Sequence, residues 1–216
     1  MTDSKLPKVD GTIQIVPLSQ LDKAITIQSL YEMGPCLFYI LRNPFCYLCE
    51  QMLLEIKNTV AKFEEYNVTV HIIVKKPLSD EQLEQLGFQK DMVYIDFNYD
   101  LCRVIGNDDG EFRSYAPYSL LPRVWCNAYF TSGKEEIVQY LPGDDDKILG
   151  GTLLVSRYGE ILFKSLESTA GQLPDFGGLL QAAVALFYQK EAASEYEKAF
   201  SEANLLALGM DFSKLV

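Results

Sequence analysis

The chain is poor in the residues that several large function classes require. It holds one histidine and one tryptophan in 216 residues. A single histidine excludes sites built on two or more, such as the paired histidines of a zinc protease. Cysteine is sparse, with five residues. An odd, scattered set is not an extracellular disulfide framework. Basic residues are outnumbered, 19 Lys and Arg against 30 Asp and Glu, for a net charge of −11. That balance argues against a nucleic-acid surface, which needs a basic footprint to displace counterions from phosphates. It argues equally against a polybasic membrane anchor. The longest apolar stretch, Gly177 to Phe187, is interrupted by Gln181 and falls far short of the roughly 20 residues that span a bilayer. Met1 to Asp10 is polar and lacks both the apolar core of a signal peptide and a glycine after Met1 for myristoylation. The expected setting is therefore a reducing compartment, the cytoplasm, with no membrane and no nucleic acid as partner.

What is present is an ordinary globular composition, 48% hydrophobic and 23% charged, which can bury a core without disulfide staples. Thr12 to Pro17 alternates like a short strand that Pro17 ends or places at a sheet edge. Ser19 and Asp22 resemble a capping box opening a helix through Leu21, Ala24, Ile25, Leu30 and Tyr31 to Gly34. Cys36 to Leu41 is a continuous apolar run, the pattern of a strand buried on both faces. After Arg42-Asn43-Pro44 a helix is expected from Cys46 to Tyr66, with Met52, Leu53, Ile56, Val60 and Phe63 inward. Asn67 to Val74 is a second β-branched run, which makes a right-handed parallel β-α-β unit.

Further on, a short helix is expected over Glu81 to Leu86, closed by Gly87. A strand over Met92 to Asp96 and a helix over Tyr99 to Ile105 follow. Residues 107–149 are irregular, with three prolines and an acidic Asp144-Asp145-Asp146, and read as an insertion. Gly150-Gly151 leads into a hairpin, Thr152 to Ser156 and Glu160 to Ser165, turned at Tyr158-Gly159. A long helix is expected from Asp175 to about Ala203. The order outlines an α/β thioredoxin-like fold: a β-α-β half, then a hairpin and a closing helix. Domain limits are read as 1–206, insertion included, with 207–216 as a tail.

Cys46-Tyr47-Leu48-Cys49 is the motif that carries chemistry. Its place, after a buried strand and at a helix start within a β-α-β unit, is the context of a redox Cys-x-x-Cys. Residues three apart on a helix share a face, so the two sulfurs can meet. The helix N-terminus favours negative charge and lowers the pKa of the first thiol. Cys46 is then the nucleophile, and Cys49 resolves a mixed disulfide. Arg42 either adds positive potential there or is a solvated charge at a strand end. Zinc needs four ligands, and Cys102 and Cys126 offer no second Cys-x-x-Cys, so no metal and no cofactor are expected. Cys36, Cys102 and Cys126 read as core thiols. His71 reads as a structural residue with its hydrogen bonds met.

Three segments resemble the peroxiredoxin-like proteins of the AhpC/TSA antioxidant-enzyme-domain group, within the thioredoxin-fold superfamily. They are Cys36-Leu-Phe-Tyr-Ile-Leu-Arg42-Asn-Pro-Phe-Cys46-Tyr-Leu-Cys49, Val93-Tyr-Ile-Asp-Phe-Asn-Tyr-Asp-Leu-Cys-Arg-Val-Ile-Gly106, and Gly150-Gly-Thr-Leu-Leu-Val-Ser156 with its hairpin. The resemblance implies a thioredoxin fold and a thiol-dependent antioxidant or oxidoreductase activity. It places Cys46 on the attacking or peroxidatic cysteine and Cys49 on the resolving one. It implies a reductant of thioredoxin or glutathione type. Two departures stand out. The Pro and Thr/Ser of the peroxidatic Pro-x-x-x-Thr/Ser-x-x-Cys are Tyr39 and Asn43 here. The cis-proline place of thioredoxins holds Gly151 or Thr152. The first departure counts against efficient peroxide reduction and the second against ordinary thioredoxin substrate docking; the helix dipole and the paired sulfurs, which remain, favour dithiol–disulfide exchange over peroxidase work. A reading of another class is a non-catalytic interaction module. It would bind a protein partner through the insertion, whose Tyr115, Tyr118, Trp125, Tyr129 and Phe130 form either an interface or core.

Overall fold

The computed structural model describes residues 6–41, 47–106, 150–167 and 174–188, with the backbone alone for 47–54 and 85. The centre is a pair of parallel strands, β3 (Cys36–Ile40) and β4 (Thr69–Val74), in the register Phe38 to His71. Every residue of β3 is buried, and all of β4 but Thr69, as an unbroken apolar run demands. Helix α2 (Tyr47–Glu65) connects them. It turns Ile56 and Phe63 inward and leaves Glu55, Lys57, Lys62 and Glu64 in solvent, the expected helical spacing.

Helix α3 (Asp80–Leu86) opens on a full capping box between Ser79 and Gln82 and closes on Gly87 at φ 69°. A glycine is favoured there because a side chain crowds the backbone in the left-handed region. Strand β5 (Val93–Ile95) then adds parallel to β4. Helix α4 (Asp100–Gly106) leads to the last described residue before 150. Beyond it, β6 (Gly151–Val155) pairs antiparallel with β3, and β7 (Ile161–Leu166) returns beside it. A last described helix, α5, covers residues 176–188.

The N-terminal segment differs from its expectation. Strand β1 (Gln14–Pro17) is present, next to the sheet edge. Ser19 opens no helix. Leu21 and Ala24 are exposed, and Ile25–Thr26 form a two-residue strand, β2, whose Ile25 lies opposite Ile15. Pairing with β1 holds these two residues extended, so the helix is only α1 (Ile27–Tyr31). Local helical spacing yields here to a cross-strand partner, a tertiary choice that propensity cannot foresee.

The strand order of the described sheet is β2-β1-β5-β4-β3-β6-β7. Two apolar layers cover it. One contains Tyr39, Val70, Ile72 and Leu154 with Ile56 and Phe63 of α2, Leu83 of α3 and Leu179 of α5. The other contains Cys36, Phe38, Ile73 and Leu153 with Leu30 of α1 and Leu101 and Ile105 of α4. This is the expected outline of parallel half, hairpin and packed helices on a mixed sheet. The insertion, its aromatic stretch, the acidic Asp144 to Asp146, Cys126 and the tail lie outside the described residues.

Candidate functional site

The sheet topology selects one end of the molecule. From β3 the chain crosses to β4 and β5 on one side, whereas α4 packs on the other face and β6 takes the opposite flank of β3. The direction of winding reverses at β3. In open α/β sheets the crevice beyond the carboxyl ends of the strands, at such a reversal, is where ligands bind. The N-terminus of α2 lies in the connection leaving that end of β3. Because β6 is antiparallel to β3, its first residues sit beside the same end, Gly151 opposite Ile40 and Thr152 opposite Tyr39.

Cys49 is the third residue of α2, in the first turn, where backbone N–H groups lack intrahelical partners and the dipole favours an anion. It is described by its backbone alone, and Arg42 and Cys46 lie outside the described residues. The structure thus brings the second cysteine's backbone to the start of a 19-residue helix.

Around this end the described side chains form a shallow cleft, lined by Leu41, Lys75, Asp96, Tyr99 and Cys102 over an apolar floor of Ile40, Ile73 and Val74. Asp96 is buried, and its carboxylate accepts the backbone N–H groups of Asp100 at 3.1 Å and Leu101 at 2.9 Å, which starts α4. Burial raises its pKa above the usual carboxylate range, outweighing those two bonds. Tyr99 adopts φ 60°, a left-handed conformation uncommon for a bulky residue. The Lys75 ammonium lies 4.6 Å from the centroid of its ring.

Cys102 faces this cleft, yet burial, reinforced by the Asp96 charge, pushes its thiol up to about 12. Such a thiol is not a nucleophile at neutral pH. Cys36 is 1% exposed, and burial pushes it to about 12 as well. Both behave as the core thiols expected from their apolar surroundings. Tyr39, in the place of the peroxidatic motif's proline, is a fully buried strand residue whose ring lies 6.4 Å from that of Phe176. Thr152, in the cis-proline place, is fully buried, its hydroxyl has no hydrogen-bond partner among the described residues, and no described peptide bond is cis.

His71 corrects its expectation. It is structural, but its hydrogen bonds are unmet. The ring is 5% exposed, and neither nitrogen has a partner among the described residues. A lone polar residue in an apolar strand shows from sequence that it will be buried, not whether a partner reaches it.

Asp96, Lys75 and Tyr99 carried no role from the sequence. Asp96 had one signal, an aspartate four residues ahead of a helical stretch, where its side chain can satisfy the first N–H groups. The other two become site residues only because β4 and β5 end side by side. Among the described residues no group of three or more His, Cys, Asp or Glu could hold a metal ion. No described helix is long and apolar enough to cross a membrane.

No protein-family model matches the chain, and no curated protein matches it. Solved structures do. AhpC of Enterococcus faecalis superposes with a TM-score of 0.54 at 13% identity, over 86% of this chain and 93% of that one. Peroxiredoxin Q of Xanthomonas campestris superposes at 0.52 and 14% identity, over 87% and 98%. The mitochondrial 2-Cys peroxiredoxin of Plasmodium falciparum superposes at 0.51 and 13% identity, over 89% and 98%. Identity this low speaks to architecture, and on that ground the chain has the thioredoxin fold in the arrangement these peroxiredoxin structures share.

Proposed function

We propose that the protein is a thiol-dependent oxidoreductase that works by dithiol–disulfide exchange at Cys46 and Cys49. The observation that carries this reading is the position of the Cys-x-x-Cys. Its second cysteine, Cys49, is the third residue of α2, which follows the connection from the carboxyl end of β3, where the winding of the sheet reverses, and Cys46 stands three positions earlier in the sequence. The fold shared with AhpC and the peroxiredoxins supports a thiol-based antioxidant role.

In this reading the Cys46 thiolate attacks one sulfur of a substrate disulfide. A mixed disulfide forms, and the other substrate sulfur leaves as a thiolate and takes up a proton. The Cys49 thiolate then attacks the Cys46 sulfur. The second substrate thiol leaves, and a Cys46–Cys49 disulfide remains. Two electrons have passed to the substrate, and an external dithiol or glutathione-type reductant restores the pair. The α2 dipole stabilises the attacking thiolate, and Arg42, four positions upstream in the sequence, supplies positive potential. Tyr39 and Asn43, in place of the proline and hydroxyl residue of the peroxidatic motif, favour a disulfide over a peroxide as oxidant. The protein acts in a reducing compartment, as one domain with an insertion.

The test compares wild type with Cys46→Ser and Cys49→Ser. Wild type should show one thiol titrating well below 8.5 and should reduce a model disulfide. Cys46→Ser should lose both properties, and Cys49→Ser should accumulate the mixed disulfide, seen as added mass. Wild-type reduction no faster than that of Cys46→Ser would refute the proposal. Faster turnover with hydrogen peroxide than with any disulfide would replace it by a peroxidase.

A further inference from the structure

Thr152 of β6 carries a hydroxyl that the fold itself does not explain. The residue is 0% exposed, and its Oγ1 has no hydrogen-bond partner among the described residues. A hydroxyl sealed in an interior without a partner is costly, whereas a valine of the same shape would pack there without that penalty. An orphan of this kind calls for a functional reason. Register gives its surroundings. Thr152 lies directly across from Tyr39 and two residues before Leu154, so all three share one face of the sheet. Tyr39 and Leu154 belong to the layer that Ile56 and Phe63 of α2 join. The Tyr39 hydroxyl is turned to Thr59 of α2 and supplies no bond to Thr152.

Along β6, Thr152 stands nearer than Leu154 to the carboxyl end of β3. Helix α2 runs back from that end toward the start of β4, which is parallel to β3. Cys49 stands seven residues before Ile56 and fourteen before Phe63. Seven residues are close to two helical turns. The backbone therefore puts Cys49 on the stripe of α2 that Ile56 and Phe63 occupy, at the end of the layer where Thr152 is buried. We propose that the Thr152 hydroxyl donates a hydrogen bond to the Cys49 sulfur while the cysteine pair is reduced, and loses it when the Cys46–Cys49 disulfide forms. The proposal rests on the dithiol–disulfide reading and assigns the residue that sets the balance between its two states. A thiolate is a charged acceptor and holds a hydroxyl firmly. A disulfide sulfur carries no charge and accepts weakly. The hydroxyl thus favours the dithiol, and its orphaned state is a penalty that falls on the disulfide form.

The experiment equilibrates the full chain with glutathione, as wild type, Thr152→Val and Thr152→Ser. The protein dithiol and one oxidised glutathione give the protein disulfide and two reduced glutathiones, so two electrons and two protons pass to glutathione. Alkylation and mass spectrometry read Cys46 and Cys49 apart from the other three cysteines. Thr152→Val should shift this equilibrium about tenfold toward the disulfide, or about 30 mV to lower potential. Thr152→Ser keeps the hydroxyl and should stay within about threefold of wild type. Urea denaturation of each oxidation state is the second readout. Thr152→Val should be at least as stable as wild type when oxidised and should lose that advantage when reduced. An unchanged equilibrium in Thr152→Val overturns the proposal and leaves the dithiol reading standing. An equal loss of stability in both oxidation states, or a Thr152→Val chain that does not fold, marks a purely structural hydroxyl and overturns it too. A wild-type chain that forms no Cys46–Cys49 disulfide at any glutathione ratio refutes the dithiol reading, and the proposal with it.

Discussion

Replacing Gly151 by alanine tests the packing at the site end most directly. Gly151 opens β6 between Ile40 of β3 and Leu166 of β7. A Cβ built there collides with the Ser165 carbonyl oxygen and comes within 2.6 Å of Ile105 Cδ1 and 3.2 Å of Leu166 Cα. Ile105 can rotate, but the Ser165 carbonyl belongs to the neighbouring strand and yields only if β7 moves. Overpacking a filled interior costs about 1–3 kcal/mol, and a backbone obstacle puts this case near about 3 kcal/mol. Lower entropy of the unfolded alanine chain returns about 0.4–1 kcal/mol. The net loss is about 2 kcal/mol, or about 4–8 °C in Tm for a chain of this size. Gly34→Ala is the control, because its Cβ would meet nothing within 4 Å, and it should leave stability unchanged or raise it by up to about 1 kcal/mol. Urea denaturation checks both, as a shift in midpoint at constant slope. A Gly151→Ala midpoint within about 0.5 kcal/mol of wild type would refute the steric reasoning.

Ile56→Ala removes a fully buried side chain of α2 and should cost about 2–5 kcal/mol in urea denaturation, with a spread that reflects how far the site collapses. Gly87→Ala forces a side chain into φ 69° and against the Lys57 side chain. It should cost about 1–2 kcal/mol, with Gly87→Asn milder by thermal melting. Asp96→Ala removes the acceptor for the first N–H groups of α4 and should cost about 1–2 kcal/mol, with faster amide exchange confined to that helix. Burial raises the Asp96 pKa above 3.8, so the folded chain binds more protons than the unfolded one between those two values. Stability contributed by this group therefore falls as pH rises through that window, and Asp96→Asn should remove that slope from a pH series of melts.

Much of this architecture was readable along the chain because the signals were strong and local. Cys36 to Leu41 is apolar without interruption, and such a run is stable only when both faces are covered. Ser79 with Gln82 and Gly87 bracket α3 through groups that act within one turn. The hairpin of β6 and β7 announces itself by two short, largely apolar runs around Tyr158-Gly159, where Gly159 takes φ 78°. Failures came where a distant partner decided. Ile25 and Thr26 carry a helical pattern but are held extended by β1. The lone histidine was expected to find partners, and the aromatic rings of Phe38 and Tyr94 enclose it instead.

The sequence by itself determined the order of the main elements from β3 to β7 and the helix in which Cys49 is the third residue. Both depend on residue types a few positions apart. It could not determine that Asp96, Lys75, Tyr99 and Cys102 share one cleft at the end of β3. Nor could it determine that Gly151 must stay bare because β7 runs beside it. Those facts follow from which strands become neighbours. Neighbourhood in a sheet is decided by the burial of whole faces together, a sum over residues far apart in the chain.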